Sequence, residues 1–394
     1  MKHANKARMV IACLTAALLP VTGLAAAEAQ SVAGRPGGAG DPGEIVSAEP
    51  SAFRLPPGIP TATAAWKIHY RSTGAGGKAD VVSGTVIIPL DGRDGVRPLL
   101  TYAFGTVGMG DQCAPSAKLA DGSSFEAVVL NGALERGWAV VVTDYQGLGT
   151  PGDHTYMIGR AEGAAVLDAA RAAQRLPEAR RAGVDATSPV AVMGYSQGGQ
   201  ASGWAAELAR SYAPELRVKG VVSGGVPADL LRFASSSTDS NLALSLMTAI
   251  GHDAGYPELD LDSYLNDDGR ALVESMRNGC VVENALAAEG KSIDELTVRN
   301  PLEAPDWRRR LGDNRLGERA AAAPVYVYHG TNDTIVPYAI GEQLRADWCA
   351  RGGVVQWRSI PMADHHTAYL FGVSPALDWL AARFAGSPTR GNCA

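Results

Sequence analysis

Cysteine is scarce, clustered positive charge is scarcer, and a membrane-spanning apolar run is missing. The 394-residue chain has five cysteines, none in a C-x-x-C or Cys/His spacing, which argues against a zinc module. Lys and Arg total 35 against 41 Asp and Glu, a formal net charge of -6. The one basic cluster is Arg308-Arg309-Arg310, so nucleic acid is not an expected partner. No stretch is long and apolar enough, about 18 residues, to cross a bilayer, so no stable membrane insertion is expected.

What is present begins with a leader signal. Lys2, Lys6 and Arg8 precede the apolar run Met9 to Leu19, and Ala27-Glu28-Ala29 fits a small-x-small cleavage site, with Ala25-Ala26-Ala27 a second candidate. Residues 1–29 therefore read as a secretory signal peptide and the protein as secreted. Cys13 would leave with it. Cys113, Cys280, Cys349 and Cys393 remain, an even number bound for an oxidising compartment, and two disulfides are expected. Three pairings are open at this point. Residues 30–49 are rich in Gly, Pro, Ala and Ser without hydrophobic period and read as a flexible leader to a domain over 50–394.

Beyond the leader, strand-like and helix-like segments alternate. Asp80 to Pro89, Pro98 to Phe104, Trp138 to Thr143, Pro189 to Tyr195, Val218 to Ser223, Pro324 to Tyr328 and Val354 to Ile360 read as strands. Ala161 to Leu176 and Gln197 to Tyr212 read as helices, and Ser374 to Phe384 as a last helix with Pro375 in its first turn. Continuous apolar strands between helices predict an α/β fold, a mostly parallel sheet with helices on both faces. Residues 228–322 break the alternation and read as an inserted helical cap over the carboxyl edge of the sheet.

Gly194-Tyr195-Ser196-Gln197-Gly198 matches G-x-S-x-G. The bare pattern is weak, but it follows the apolar strand PVAVMGY and opens a helix, the setting of a nucleophile elbow. Ser196 is the candidate nucleophile. A serine hydroxyl needs a base, and the base needs an orienting acid, here in the order Ser, acid, His. Asp333, on the loop after PVYVY, is the candidate acid, with Asp347 the runner-up in a predicted helix. Only His365 and His366 follow Asp333, and the residues alone do not choose between them. His329 reads as a buried structural histidine, and His69, His154 and His252 have poor claims. Asp144 reads as a loop-ordering residue. The oxyanion donors expected are the backbone amides of Gln197 and of Thr106 in the loop Gly105-Thr106-Val107-Gly108, with Val107 the alternative.

Four stretches carry a family resemblance: GDQCAPS (Gly110 to Ser116), TDYQGLGTPG (Thr143 to Gly152), GRAEGAAVLDAAR (Gly159 to Arg171) with GYSQGG, and DHHTAYLFG with DWLAARFAG. Together they resemble the secretory lipases of the fungal lipase A type and their actinobacterial relatives, from about residue 50 to the end. The resemblance implies an α/β-hydrolase fold with a helical lid. It selects His365 over His366 and pairs Cys113 with Cys280 and Cys349 with Cys393. It also implies a lipase or carboxylesterase acting on acylglycerols or other hydrophobic esters at a lipid–water interface; the acyl-serine chemistry itself calls for no cofactor and no metal. One departure stands out: fungal members carry an acidic residue in the oxyanion loop where this chain has Gly105-Thr106-Val107. The same scaffold also serves peptidases, acyltransferases and non-catalytic binding proteins, so those are the alternatives.

Overall fold

A computed structural model of the protein describes residues 40–236 and 241–393. The expected signal peptide, and the leader as far as residue 39, lie outside the described residues.

The strands are β1 (Ile45–Ser51), β2 (Arg54–Leu55), β3 (Ile59–Pro60), β4 (Thr63–Thr73), β5 (Ala79–Pro89), β6 (Leu99–Ala103), β7 (Ala139–Tyr145), β8 (Val190–Tyr195), β9 (Val218–Gly224), β10 (Val325–Gly330) and β11 (Val355–Ile360). Nine of them form one sheet in the order β1-β4-β5-β7-β6-β8-β9-β10-β11, while β2 and β3 pair separately. The pairs β1–β4, β4–β5 and β5–β7 are antiparallel; every pair from β7 across to β11 is parallel.

The helices before β9 are α1 (Pro115–Asp121), α2 (Ala127–Glu135), α3 (Gly159–Arg175), α4 (Pro177–Arg181) and α5 (Gln197–Tyr212). Every residue of β6, β7, β8 and β10 is buried, so these strands are covered on both faces and their sequences run apolar rather than alternating. Between β9 and β10 lie α6 (Leu230–Ser236), α7 (Leu242–Gly255), α8 (Asp267–Arg277), α9 (Val281–Ala288), α10 (Ile293–Leu296) and α11 (Pro305–Gly312). These helices close over a hydrophobic core of their own, built around Leu246, Met247, Met276 and Trp307. The chain ends with α12 (Tyr338–Ala350) and α13 (His365–Phe384). Helices α3 and α5 pack together, and α13 packs against α2, β9 and β10.

Two sequence expectations need correction. The leader does not run to residue 49: Ile45–Ser51 is the edge strand β1, paired with β4 from Ile45↔Tyr70 to Ser51↔Ala65. None of its residues is buried, so backbone pairing holds it and no apolar pattern announces it. The last helix starts at His365 rather than Ser374. Asp364 caps it, accepting from the Thr367 amide at 2.8 Å while the Thr367 hydroxyl accepts from the Asp364 amide at 2.9 Å. The helix then continues through Pro375, giving up one backbone bond instead of ending there.

Two disulfides are formed, Cys113–Cys280 and Cys349–Cys393. The first joins the segment after β6 to the start of α9. The second joins the end of α12 to the carboxyl-terminal tail.

Candidate active site

In a parallel sheet the loops leaving neighbouring strands emerge on one edge. The loops after β6, β8, β10 and β11 therefore bring Thr106, Ser196, Asp333 and His365 to the same side of the sheet.

Ser196 forms the turn between β8 and α5 with φ 58° and ψ -120°. A non-glycine residue there costs on the order of 1–3 kcal/mol, and the surroundings must impose it. Its amide donates to the Gly224 carbonyl at 3.0 Å. A methyl group on Gly194 would sit 2.1 Å from the Gly198 carbonyl oxygen, and one on Gly198 would sit 2.0 Å from that of Ala103. The motif glycines are thus dictated by backbone packed against backbone. The amide of Gln197, first residue of α5, has no acceptor within the helix and lies at its positive end.

Asp333 sits in the turn after β10 and is buried. Its Oδ1 accepts from the amides of Ile335 (3.0 Å) and Val336 (2.8 Å), and its Oδ2 accepts from His365 Nδ1 at 2.7 Å. His329, fully buried beneath, directs Nε2 at the Val336 carbonyl (2.8 Å) and at Asp333 Oδ2 (3.2 Å). Burial alone would raise the Asp333 pKa, but the bonds from His329 and His365 outweigh it and hold the carboxyl well below the usual range. A carboxylate held by Nδ1–H leaves the lone pair of His365 Nε2 free to act as a base. Tyr195 supports the ring from the side: its centroid is 4.9 Å away and its hydroxyl donates to the His365 carbonyl at 2.6 Å.

The structure brings His365 to Asp333 and places His366 at the exposed rim, with its ring perpendicular to that of His365. Asp347 lies on α12, where it accepts from Arg315 (3.0 Å) and Gln343 (2.9 Å). Asp144 accepts from the Ser83 hydroxyl (2.6 Å) and the Ser116 amide (2.7 Å), which orders the segments around it.

Ser196, His365, Gly105 and Thr106 line one cavity of about 470 Å³, roofed by Leu244 of α7 and Val281 of α9. In the loop after β6, the Gly105 amide donates to Glu126 Oε1 at 3.2 Å, the Thr106 hydroxyl bonds Tyr156 Oη at 2.7 Å, and the Val107 carbonyl accepts from the Val281 amide at 2.9 Å.

Three residues near the site are given no role there by the sequence: His154 has a poor claim, and Glu162 and Glu126 go unmarked. Gln197 Nε2 donates to Glu162 Oε1 (2.8 Å) and to His154 Nε2 (3.0 Å), whose Nδ1 meets the Gln146 carbonyl (2.9 Å). Burial, which penalises the charged form, pushes Glu162 up to about 8 and His154 down to about 4. Glu126, buried in the cavity wall, is the third. Nothing marks these residues in the sequence: an acid in an Ala-rich helix and a histidine in a Gly/Pro loop look like surface residues until the fold buries them. Among the described residues no group of three or more His, Cys, Asp or Glu side chains is placed to hold a metal ion.

A serine in a strained elbow, an imidazole fixed by a buried carboxylate and a helix amino end are the parts from which acyl transfer is built. Comparison with known proteins agrees. The chain matches the secretory lipase family over residues 119–392. It is 30% identical over 351 residues to a probable inactive lipase of Mycobacterium tuberculosis, across 84% of this chain and 76% of that one. It is 29% identical over 356 residues to a secreted triacylglycerol lipase of Malassezia globosa, across 84% of this chain and 73% of that one. Its fold superposes on Candida antarctica lipase A in the closed state with a TM-score of 0.79 at 24% identity, covering 88% of this chain and 83% of that one. The chain belongs to the secretory lipase family and is a secreted carboxylic ester hydrolase on an α/β-hydrolase fold.

Proposed function

We propose that the protein hydrolyses hydrophobic carboxylic esters, acylglycerols in particular, through an acyl-enzyme on Ser196. The observation that carries this reading is the 2.7 Å bond from His365 Nδ1 to Asp333 Oδ2, with His365 and Ser196 facing one cavity. His365 takes the serine proton as the hydroxyl attacks the ester carbonyl and returns it to the leaving alcohol. Asp333 fixes the imidazole tautomer and stabilises the imidazolium. The amides of Gln197 and Thr106 receive the developing oxyanion. Water then releases the acid by the reverse proton path, and the chemistry needs no metal or organic cofactor.

The cavity supports a hydrophobic ester: Val281, Ile335, Leu370 and Phe125 line it. Its rim supports an aggregated substrate, since Phe125, Val282 and Leu370 are apolar yet 63–67% exposed. In this reading α6–α11, within residues 228–322, form the cap, and residues 1–29 are removed on export. The relative named inactive makes turnover the deciding issue. Purified protein should hydrolyse emulsified triacylglycerols and soluble p-nitrophenyl esters and leave peptides intact. Activity confined to peptides would overturn the proposal.

A further inference from the structure

The loop that carries Thr106 is held from below by a carboxyl group outside the Ser–His–Asp set. Glu126 caps the start of α2, and its own carbonyl accepts from the amides of Val129 and Leu130. It is therefore mounted on a rigid element. Its side chain is buried in the cavity wall, where Oε2 accepts from the Tyr102 hydroxyl at 2.6 Å and Oε1 accepts from the Gly105 amide at 3.2 Å. Tyr102 Oη also lies 3.2 Å from Tyr369 Oη, which ties the group to α13 close to His365.

The bond to Gly105 acts on one particular peptide unit. The carbonyl of that unit, Phe104 O, accepts from the Tyr145 hydroxyl at 2.9 Å, and its amide hydrogen goes to Glu126. Both ends of the 104–105 peptide plane are thus fixed. Further along, the Val107 carbonyl is held by the Val281 amide and the Thr106 side chain by Tyr156. The Thr106 amide belongs to the 105–106 peptide, which turns about ψ of Gly105, the most flexible residue type in the loop, and φ of Thr106. The bonds to Phe104 O and the Gly105 amide anchor the chain ahead of that turn, and those to the Thr106 side chain and the Val107 carbonyl anchor it behind, so the 104–105 plane sets the direction from which the Thr106 amide points.

Building on the acyl-serine reading above, we propose that Glu126 is a positioning residue for the oxyanion loop: by accepting from the Gly105 amide it orients the 104–105 peptide and aims the Thr106 amide at the reacting carbonyl. Burial pushes the Glu126 carboxyl up to about 7, the cost of holding a polar group in this wall. Glu126 is not an alternative triad acid, since Asp333 already holds His365 Nδ1.

The test compares Glu126→Leu and Glu126→Gln with wild type on a soluble p-nitrophenyl ester, with kcat expressed per serine titrated by a fluorophosphonate. Removing one oxyanion donor elsewhere costs about 10²–10³ in kcat, and a misaimed donor should cost part of that. Glu126→Leu should lose about 10- to 100-fold in kcat with KM changed less than about threefold. Glu126→Gln, whose amide oxygen can still accept from Gly105, should stay within about threefold of wild type. Tyr102→Phe frees one side of the carboxyl without emptying the wall and should lose about three- to tenfold in kcat. It decides the matter if Glu126→Leu does not fold. A Glu126→Leu enzyme, or failing that a Tyr102→Phe enzyme, with wild-type kcat per titrated serine overturns the proposal. So does a Glu126→Gln enzyme as impaired as Glu126→Leu. Wild type that neither labels nor turns over would instead sink the acyl-serine reading itself.

Discussion

Ser196 holds a φ of 58° that few side chains accept, and the glycines at 194 and 198 are what let the chain close around it. That much was legible, because a G-x-S-x-G between an apolar strand and a helix states its backbone geometry in its residue types. The choice between His365 and His366 was not legible from the residues. Both follow the same strand, and only the first turn of α13 separates them, one turned to Asp333 and the other to the rim. Glu126, in the run FEAVV, looks like an acid opening a helix, and nothing local says that its carboxyl faces the cavity. At this scale the account predicts that His365→Ala loses about 10⁴-fold or more in kcat, and Asp333→Asn about 10⁴-fold through the wrong imidazole tautomer. His366→Ala should stay within about threefold. Steady-state kinetics on a soluble ester check all three, and the reverse ranking of the two histidines would displace the assignment.

Elements were read best where burial leaves a one-sided signal. Strands β7 and β8 are buried along their whole length and appear in the sequence as unbroken apolar runs. The antiparallel edge hides better. Strand β4 buries Ala65, Ile68, Tyr70 and Ser72 but fills the other positions with half-exposed residues, and β1 buries none, so both passed unmarked. The start of α13 was obscured by Pro375, whose helix-breaking signal is overridden by a capped amino end and by packing on β9 and β10. One cross-element contact matters for the site. Cys113–Cys280 and the Met109 amide bonded to the Gly279 carbonyl at 2.9 Å tie the loop after β6, the proposed oxyanion loop, to the α8–α9 junction. Gly108 sits there with φ 122°, and a methyl on it would lie 2.5 Å from Cys280 Cα. Replacing both cysteines by serine should destabilise the protein by about 3–5 kcal/mol, read from the denaturant midpoint. It should also lower kcat per titrated serine, because the loop loses its tether. The Cys349/Cys393 double replacement, remote from the loop, should destabilise and leave that kcat unchanged.

For the whole molecule, alternation of strand and helix gave the α/β class, because a sheet covered on both faces constrains every strand in it. The family resemblance supplied what alternation does not carry: the disulfide pairing found in the structure, and the substrate class that is proposed. The segment proposed as a cap could be seen only as a gap in the pattern, since the helices between β9 and β10 bury their apolar faces against one another in a separate core and share no period with the sheet. The central proposal is that Ser196 carries the acyl group. The most direct measurement is intact-mass analysis after reaction with a fluorophosphonate, followed by peptide mapping. The account predicts one adduct per chain, located on Ser196, formed rapidly by wild type and His366→Ala, slowly by His365→Ala and not at all by Ser196→Ala. No adduct on wild type, or an equal adduct on Ser196→Ala, would contradict it.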